Sequence, residues 1–350
     1  MPLPESGQIS LVNVATEFGD ASPHSLTEFY SAGTGIPSSG AISLIQFYGL
    51  SSEFAFTKTV SSNTQEYSLN TDLTANGWDG SSPVNVSITI NSGIYVWSDD
   101  TAIAGFTIGT LPAGSTVSII NNGYIIGKGG RGAPITSTNG GDAIKIEYDV
   151  SITNNSYIAG GGGGGGGGGF TDGTFTPSVG GGGGTGGGQG GYDTTRTTLV
   201  GGAGGAIGLS GSNGQVDSAA GDGTGGGGGR ILTGTGGAGQ TAYNGTNPGT
   251  FAASGLGGGT GGSGAAACWG GPGQPKASTG GSGGNGSSVG GVGTGTGPYF
   301  AGGGGGGWGA SGGLGDNIVS SNPGSGGKAV NLNGKSVTWL ATGTRYGAIS

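Results

Sequence analysis

The chain has 350 residues, enough for two or three domains, but glycine fills 96 positions, about 27%, against an average near ~7%. Ten Lys and Arg against eighteen Asp and Glu give a net charge of −8, which argues against nucleic acid as a partner. Single copies of Cys (Cys268) and His (His24) exclude an internal disulfide framework, a Cys/His zinc site and a Ser-His-Asp triad away from the N-terminal edge.

The start, Met1-Pro2-Leu3-Pro4-Glu5, is no basic leader, and no apolar run approaches the ~18 residues of a membrane span. A soluble chain made without a secretion signal is expected. Residues 1–51 then carry a triple repeat, S-L-x-x-[VF], beginning at Ser10, Ser25 and Ser43. A Ser before a short apolar stretch is a helix N-cap, and Ser25 with Glu28 has capping-box spacing. Three helices of one or two turns are predicted, each closed by a nearby glycine (Gly19, Gly33, Gly49). Elements this short are not expected to bury their side chains alone. Two readings fit: a helical cap on the next domain, or a docking module whose Leu11, Leu26, Phe29, Tyr30, Leu44, Phe47 and Tyr48 lose surface to a partner.

Residues 52–159 switch to period two, as in Phe54, Phe56, Lys58, Val60 and again across Val86–Ile90. Val117–Ile125 matches Val150–Ile158, 33 positions on, and a weaker copy starts at Val86. Repeats of this length on short strands predict stacked rungs, a β-solenoid or a sandwich-like prism. The last rung runs straight into ten glycines, Gly160–Gly169.

Between Gly160 and Gly327, 74 of 168 residues are glycine. Composition alone predicts disorder. A local period of three (Gly201-Gly202-Ala203, Gly258-Gly259-Thr260, Gly280-Gly281-Ser282) and interruption by aromatic segments argue instead for an antiparallel bundle of polyglycine-II helices. The runs are read as helices at roughly 160–169, 179–191, 200–208, 221–229, 234–239, 255–264, 280–297, 301–315 and 324–327. Residues 328–350 return as a strand through Val337-Thr338-Trp339-Leu340. The expected class is thus mainly β and irregular: a short-helix N-terminal module, a β-rich repeat region, then the glycine bundle.

Chemistry-bearing motifs are thin. Gly334-Lys335-Ser336 ends like a phosphate-binding loop, but Ala329 stands where that loop needs its first glycine. Asp99-Asp100 and Gly221-Asp222-Gly223 lack calcium-loop spacing and read as solvated turns. Trp308 reads as a side chain covering the bundle, and Cys268 as a free, partly buried thiol in a loop. No catalytic residue, metal or cofactor is expected.

The stretch Leu73–Gly80, the Asn-Asn-Gly-Tyr-Ile rung, the decaglycine and the ending Gly343–Ser350 resemble virion proteins of tailed bacteriophages. The glycine block resembles the receptor-recognising adhesin at the tip of T-even-type long tail fibres. That resemblance implies a polyglycine-II sandwich whose intervening segments contact the host receptor. It also implies a virion tail or fibre location after assembly in the host cytoplasm, and a host outer-surface protein or glycan as ligand. Other tail or fibre proteins would dock on the N-terminal module, with self-association, a trimer included, as a further option. An ice-binding protein or a purely structural virion component are the alternatives.

If alternate loops emerge at opposite ends, one end carries Phe170, Phe175, Tyr243, Phe251, Tyr299 and Phe300, the receptor-binding candidates. The other carries Tyr192 and Trp269 with Arg196, Arg230 and Lys276. The run 280–297 strains this count, since ~3.1 Å per residue makes it roughly 56 Å long. A fold-back near Ser287-Ser288 would move Tyr299 and Phe300 to the other end.

Overall fold

The computed structural model describes residues 3–33, 35–50, 52–133, 137–169, 178–191, 200–217, 222–230, 232, 262, 266–268, 278–279, 281–284, 286–295, 299–316 and 322–350. The chain forms two units, one comprising Met1–Lys58, Asn70–Ile88 and Thr110–Ser118, the other Thr59–Leu69, Thr89–Gly109 and Ile119–Ser350.

In the first unit, each N-terminal repeat starts one short helix: α1 (Leu11–Phe18) and two 3₁₀ turns, Leu26–Phe29 and Leu44–Phe47. The capping side chain three residues on reaches back each time. The Ser10 N–H donates to Asn13 Oδ1 (2.9 Å), that of Ser25 to Glu28 Oε2 (2.6 Å), and that of Ser43 to Gln46 Oε1 (2.8 Å). Helix α1 runs on for a second turn and stops at Gly19, whose φ of 72° suits glycine. The other two stop after one turn, and the hydroxyls of Tyr30 and Tyr48 donate to the carbonyls of Gly40 and Gly7.

Phe18, Phe29 and Phe47 make a nearly equilateral triangle of rings, 6.1, 6.2 and 6.1 Å apart. Leu3, Val14, Ala15 and Ile36 complete this core, with Leu11, Leu26 and Leu44 packed against it. The repeats therefore do bury their aromatics without a partner, because three of them share one centre.

From Phe54 the chain coils, giving one strand per turn to each of three sheets. The first turn supplies β1 (Phe54–Val60), β2 (Thr64–Gln65) and β3 (Tyr67–Ser68); helix α2 (Leu69–Ala75) follows. The second supplies β4 (Val84–Ile90), β5 (Tyr95–Trp97) and β6 (Phe106–Ile108), and the third β7 (Thr116–Asn121), β8 (Tyr124–Ile126) and β9 (Ile144–Ile146). The fourth supplies β10 (Val150–Asn154), β11 (Tyr157–Ala159) and Val330–Asn331; the fifth supplies Val337–Ala341 and Thr344–Tyr346.

The sheet orders are β1-β4-β7-β10 ending on Val337–Ala341, β2-β5-β8-β11 ending on Thr344–Tyr346, and β3-β6-β9 ending on Val330–Asn331. The registers are parallel throughout the second and third sheets. This is a parallel β-solenoid, not a sandwich. Alternate residues point inward, so Val84, Val86, Ile88 and Ile90 are all buried.

The 33-residue repeat stacks like on like. Tyr95, Tyr124, Tyr157 and Tyr346 form a ladder of rings at 4.5, 5.9 and 6.2 Å. Buried Asn121 donates to Asn154 Oδ1 (2.8 Å), and Asn154 donates to the carbonyl of Thr342 (2.9 Å). A buried amide must be satisfied, and each asparagine here satisfies the next.

The corner between the second and third sheets holds one residue in the first turn (Glu66), then residues 98–105, then 127–143 and finally 160–329. The glycine-rich segment is thus an insertion at one corner of the fourth turn. Its packing follows a period of three. N–H groups of Gly161 and Gly164 donate to the carbonyls of Gly141 and Thr138; those of Gly162 and Gly165 to Thr185 and Gly182; those of Gly163 and Gly166 to Ala310 and Gly313. On the opposite sides, Gly160 and Gly163 face 324–327, Gly161 and Gly164 face 128–131, and Gly162 and Gly165 face 303–306. Six segments surround this one, and a Cβ on Gly164 would stand 1.9 Å from the Arg131 carbonyl oxygen.

The long glycine runs are not straight. They reverse at Gly186-Gly187, Gly208, Gly286 and Gly309, all with positive φ. The runs 179–191, 280–297 and 301–315 are therefore hairpins, because a left-handed glycine turns the chain within two residues.

Two outcomes test this architecture. Asn154→Leu leaves the Asn121 amide and two carbonyls short of partners and should cost roughly 1–3 kcal/mol in urea unfolding, with the double Asn121→Leu/Asn154→Leu variant losing less than the sum of the singles. Gly164→Ala should prevent the glycine segment from folding, whereas Ser287→Val in an exposed turn leaves the thermal melt nearly unchanged; equal melts would contradict the packing.

Candidate functional site

The glycine segment has two distinguishable ends. Near one, the Gly309 N–H donates to the Gly160 carbonyl (2.7 Å), and the reversals at Gly186-Gly187 and Gly309 lie there. Eight residues along from Gly160, at the other end, the chain forms short paired stems. Gly168–Gly169 pairs with Ser178–Val179, Val179 with Gly223, and Val216–Asp217 with Asp222–Gly223. Ala266–Cys268 pairs with Tyr299–Ala301, and Ser278–Thr279 with Thr294–Gly295. Gly168 sits against the Ala301 carbonyl, and the Asp316 N–H donates to the same oxygen.

The described stems that flank positions 170–177, 218–221, 269–277 and 296–298 in the sequence therefore all stand at one end. This corrects the alternating count. The strand that precedes Trp269 in the sequence, Ala266–Cys268, pairs with Tyr299–Ala301, two stretches that the count had set at opposite ends. The missed hairpin turns are the reason. Cys268 accordingly lies in a strand rather than a loop. Tyr299 and Phe300 are in that strand pair, while Phe170, Phe175, Tyr243 and Phe251, together with Tyr192, Arg196, Trp269 and Lys276, lie outside the described residues.

Among the N-terminal candidates, Phe29 and Phe47 are interior to their own module, which removes them as contact residues. Leu11, Leu26, Leu44, Tyr30 and Tyr48 are half-buried. The exposed apolar surface belongs to Val12 (61%) and Ile45 (72%), which the sequence reading passed over. Both occupy the position after the repeat's Leu, which faces outward once that Leu and the residue three after it, Val14 or Phe47, face in.

At the reversal end, the corner residues bring charges together. Asp99 follows β5; Lys128 follows β8 and places Nζ 2.6 Å from Asp99 Oδ1. Arg230, 5% exposed, lies over the Trp97 ring at 4.4 Å, donates from Nε to the Gly186 carbonyl (2.9 Å) and from Nη2 to Asp99 Oδ1. Partial burial pushes the Asp99 carboxyl up, but the hydrogen bonds and charges of Lys128 and Arg230 outweigh this and hold it below its usual value. Asp99 is no free solvated turn, and Arg230 is no exposed loop cation: a buried guanidinium requires a partner, and Asp99 is it.

Trp308 is fully buried with Ile126, Ala159 and Leu232 rather than covering a surface, and its Nε1 lacks a partner among the described residues. Among the described residues no cluster of His, Cys, Asp or Glu could hold a metal, and no helix is long and apolar enough to cross a membrane.

The family model for phage tail fibre adhesin Gp38 matches residues 55–249, more than half of the chain. The solved gp37-gp38 adhesin tip complex of the bacteriophage S16 long tail fibre aligns over 99% of this chain and 95% of that chain, at 20% identity and a TM-score of 0.46. No curated protein matches. On the family match, the chain belongs to the phage tail fibre adhesins of the Gp38 family.

Proposed function

We propose that this adhesin attaches its phage to the host by binding a bacterial outer-surface protein or glycan, without catalysis, at the stem end of an antiparallel polyglycine-II bundle. The observation that carries this reading is the convergence of paired stems on one end; Phe170, Phe175 and Trp269 follow those stem strands in the sequence. Aromatic side chains grouped at an exposed end are effective interface anchors. The three-residue register around Gly160–Gly168, with six neighbours, supports the polyglycine-II assignment. Ice binding would need threonines in outward columns. Two described outward columns, Val200/Ala203/Ala206 and Leu209/Ser212/Gln215, contain none.

The N-terminal module suits attachment to the rest of the fibre. One chain that repeats a motif three times offers three related contacts, at Val12, Thr27 and Ile45, which suits a partner made of like chains. Val12 and Ile45 are its exposed apolar contacts. On this reading a single copy sits on another tail or fibre protein of the virion.

Alanine at Phe170 and Phe175 together should abolish adsorption to host cells, and Trp269→Ala should weaken it, both without a change in thermal melt; normal adsorption by all three substitutions would refute the stem-end assignment. Val12→Glu with Ile45→Glu should leave the module folded but remove the protein from purified virions. Retention on particles at the wild-type level would refute the docking role.

A further inference from the structure

Two hollows at the reversal end of the glycine segment, of ≈390 and ≈480 Å³, share Asp99, Lys128 and Gln189 and so form one groove with two lobes. Each lobe is within the ~300–1,000 Å³ span of small-molecule sites. The groove is built from four pieces of chain: the corner after β5, the segment after β8, the Gly186–Gln189 reversal, and Ala203–Ala206.

Its charged groups Asp99, Asp100 and Lys128 are held in place but not used up. Asp99 Oδ1 takes both Lys128 and Arg230, while half-exposed Oδ2 accepts no hydrogen bond among the described residues. Asp100 Oδ1 accepts from the Ala102 N–H (2.8 Å), leaving its Oδ2 open. Lys128 Nζ makes one hydrogen bond of the three it can donate, and the Thr101 hydroxyl and the Gln189 amide make none among the described residues. Arg230, locked under Asp99 and over Trp97, fixes the floor. Side chains already immobilised lose little further entropy when a ligand arrives.

Open carboxylate oxygens interleaved with ammonium and amide donors are what vicinal hydroxyls require, since each hydroxyl both donates and accepts. The lining is of mixed sign, with Asp99 and Asp100 set against Lys128, Arg131 and Arg230, and Lys128 and Arg230 are already paired, so no single-sign field selects an ion. The exposed Ala203 and Ala206 methyls supply an apolar strip for the carbon face of a ring. From this arrangement we infer that the groove is a second binding site, for a neutral oligosaccharide, at the end of the glycine segment away from the stems.

The test uses the full chain and a panel of neutral hexose di- to tetrasaccharides of the gluco, galacto and manno series, followed by saturation-transfer NMR and calorimetric titration. At least one should bind, and Asp100→Ala with Gln189→Ala, both exposed positions, should weaken it roughly tenfold or more without altering the thermal melt. Ala203→Phe, which fills one lobe, should do the same. Absence of binding across the panel, binding unaffected by these substitutions, or preference for a sulfated or phosphorylated saccharide would each overturn the inference. None of these readouts involves adsorption to cells, so the result stands apart from that of the stem-end substitutions.

Discussion

In the glycine segment a neighbouring carbonyl oxygen stands about 2 Å from where most interior Cβ atoms would be. That single steric condition governs the rest of the molecule. It forces glycine at position after position, and glycine brings the largest loss of backbone freedom on ordering. Apart from Trp308, Leu232 and a few alanines little apolar is buried in return among the described residues, so most of the free energy must come from nearly complete pairing of backbone donors and acceptors and from tethering. The solenoid provides the tether. Its fourth turn fixes both ends of the insertion: β11 before it pairs with β8, and Val330–Asn331 after it pairs with β9.

The solenoid also starts the packing. Residues 127–133 and 138–141, from the corner one turn earlier, already lie as two of the six neighbours of Gly160–Gly168. The 33-residue repeat that stacks Asn121 on Asn154 and Tyr124 on Tyr157 therefore also sets the register in which the first glycine segment meets its template. Among the described residues part of the lattice ends on side chains. Ser212 Oγ accepts from the Ala203 N–H (2.7 Å) and Gln215 Oε1 from the Val200 N–H (3.0 Å), where elsewhere a backbone carbonyl accepts. An open row of donors and acceptors would otherwise invite another chain.

Much of this was legible in the sequence. Period-two alternation and the Asn-Asn-x-Tyr-Ile repeat identified the stacked rungs, and the capping spacing of Ser25 with Glu28 identified a short helix. The coil's return through Val337–Ala341 was visible as a strand, though its partner, β10, was not. The hairpin turns were hidden because a glycine in a left-handed reversal and one inside a straight segment are the same letter. Gly186-Gly187, Gly208, Gly286 and Gly309 are told apart only by φ. The groove was hidden for another reason: Asp99, Lys128 and Gln189 are separated by 29 and 61 positions and meet only because successive corners stack.

The placement of the insertion has a consequence for biosynthesis. A ribosome delivers the first three solenoid turns and two strands of the fourth, then 170 residues of the corner, before the strand that completes that turn emerges. Closing so long a loop adds only slowly growing entropy per residue, but it is closed by one short strand pair, Val330–Asn331 on β9. A nascent chain halted anywhere before Val330 would carry every glycine run up to its stopping point and lack the clasp. Emergence of Val330–Asn331 is thus the step that turns an insertion held at one end into one held at both.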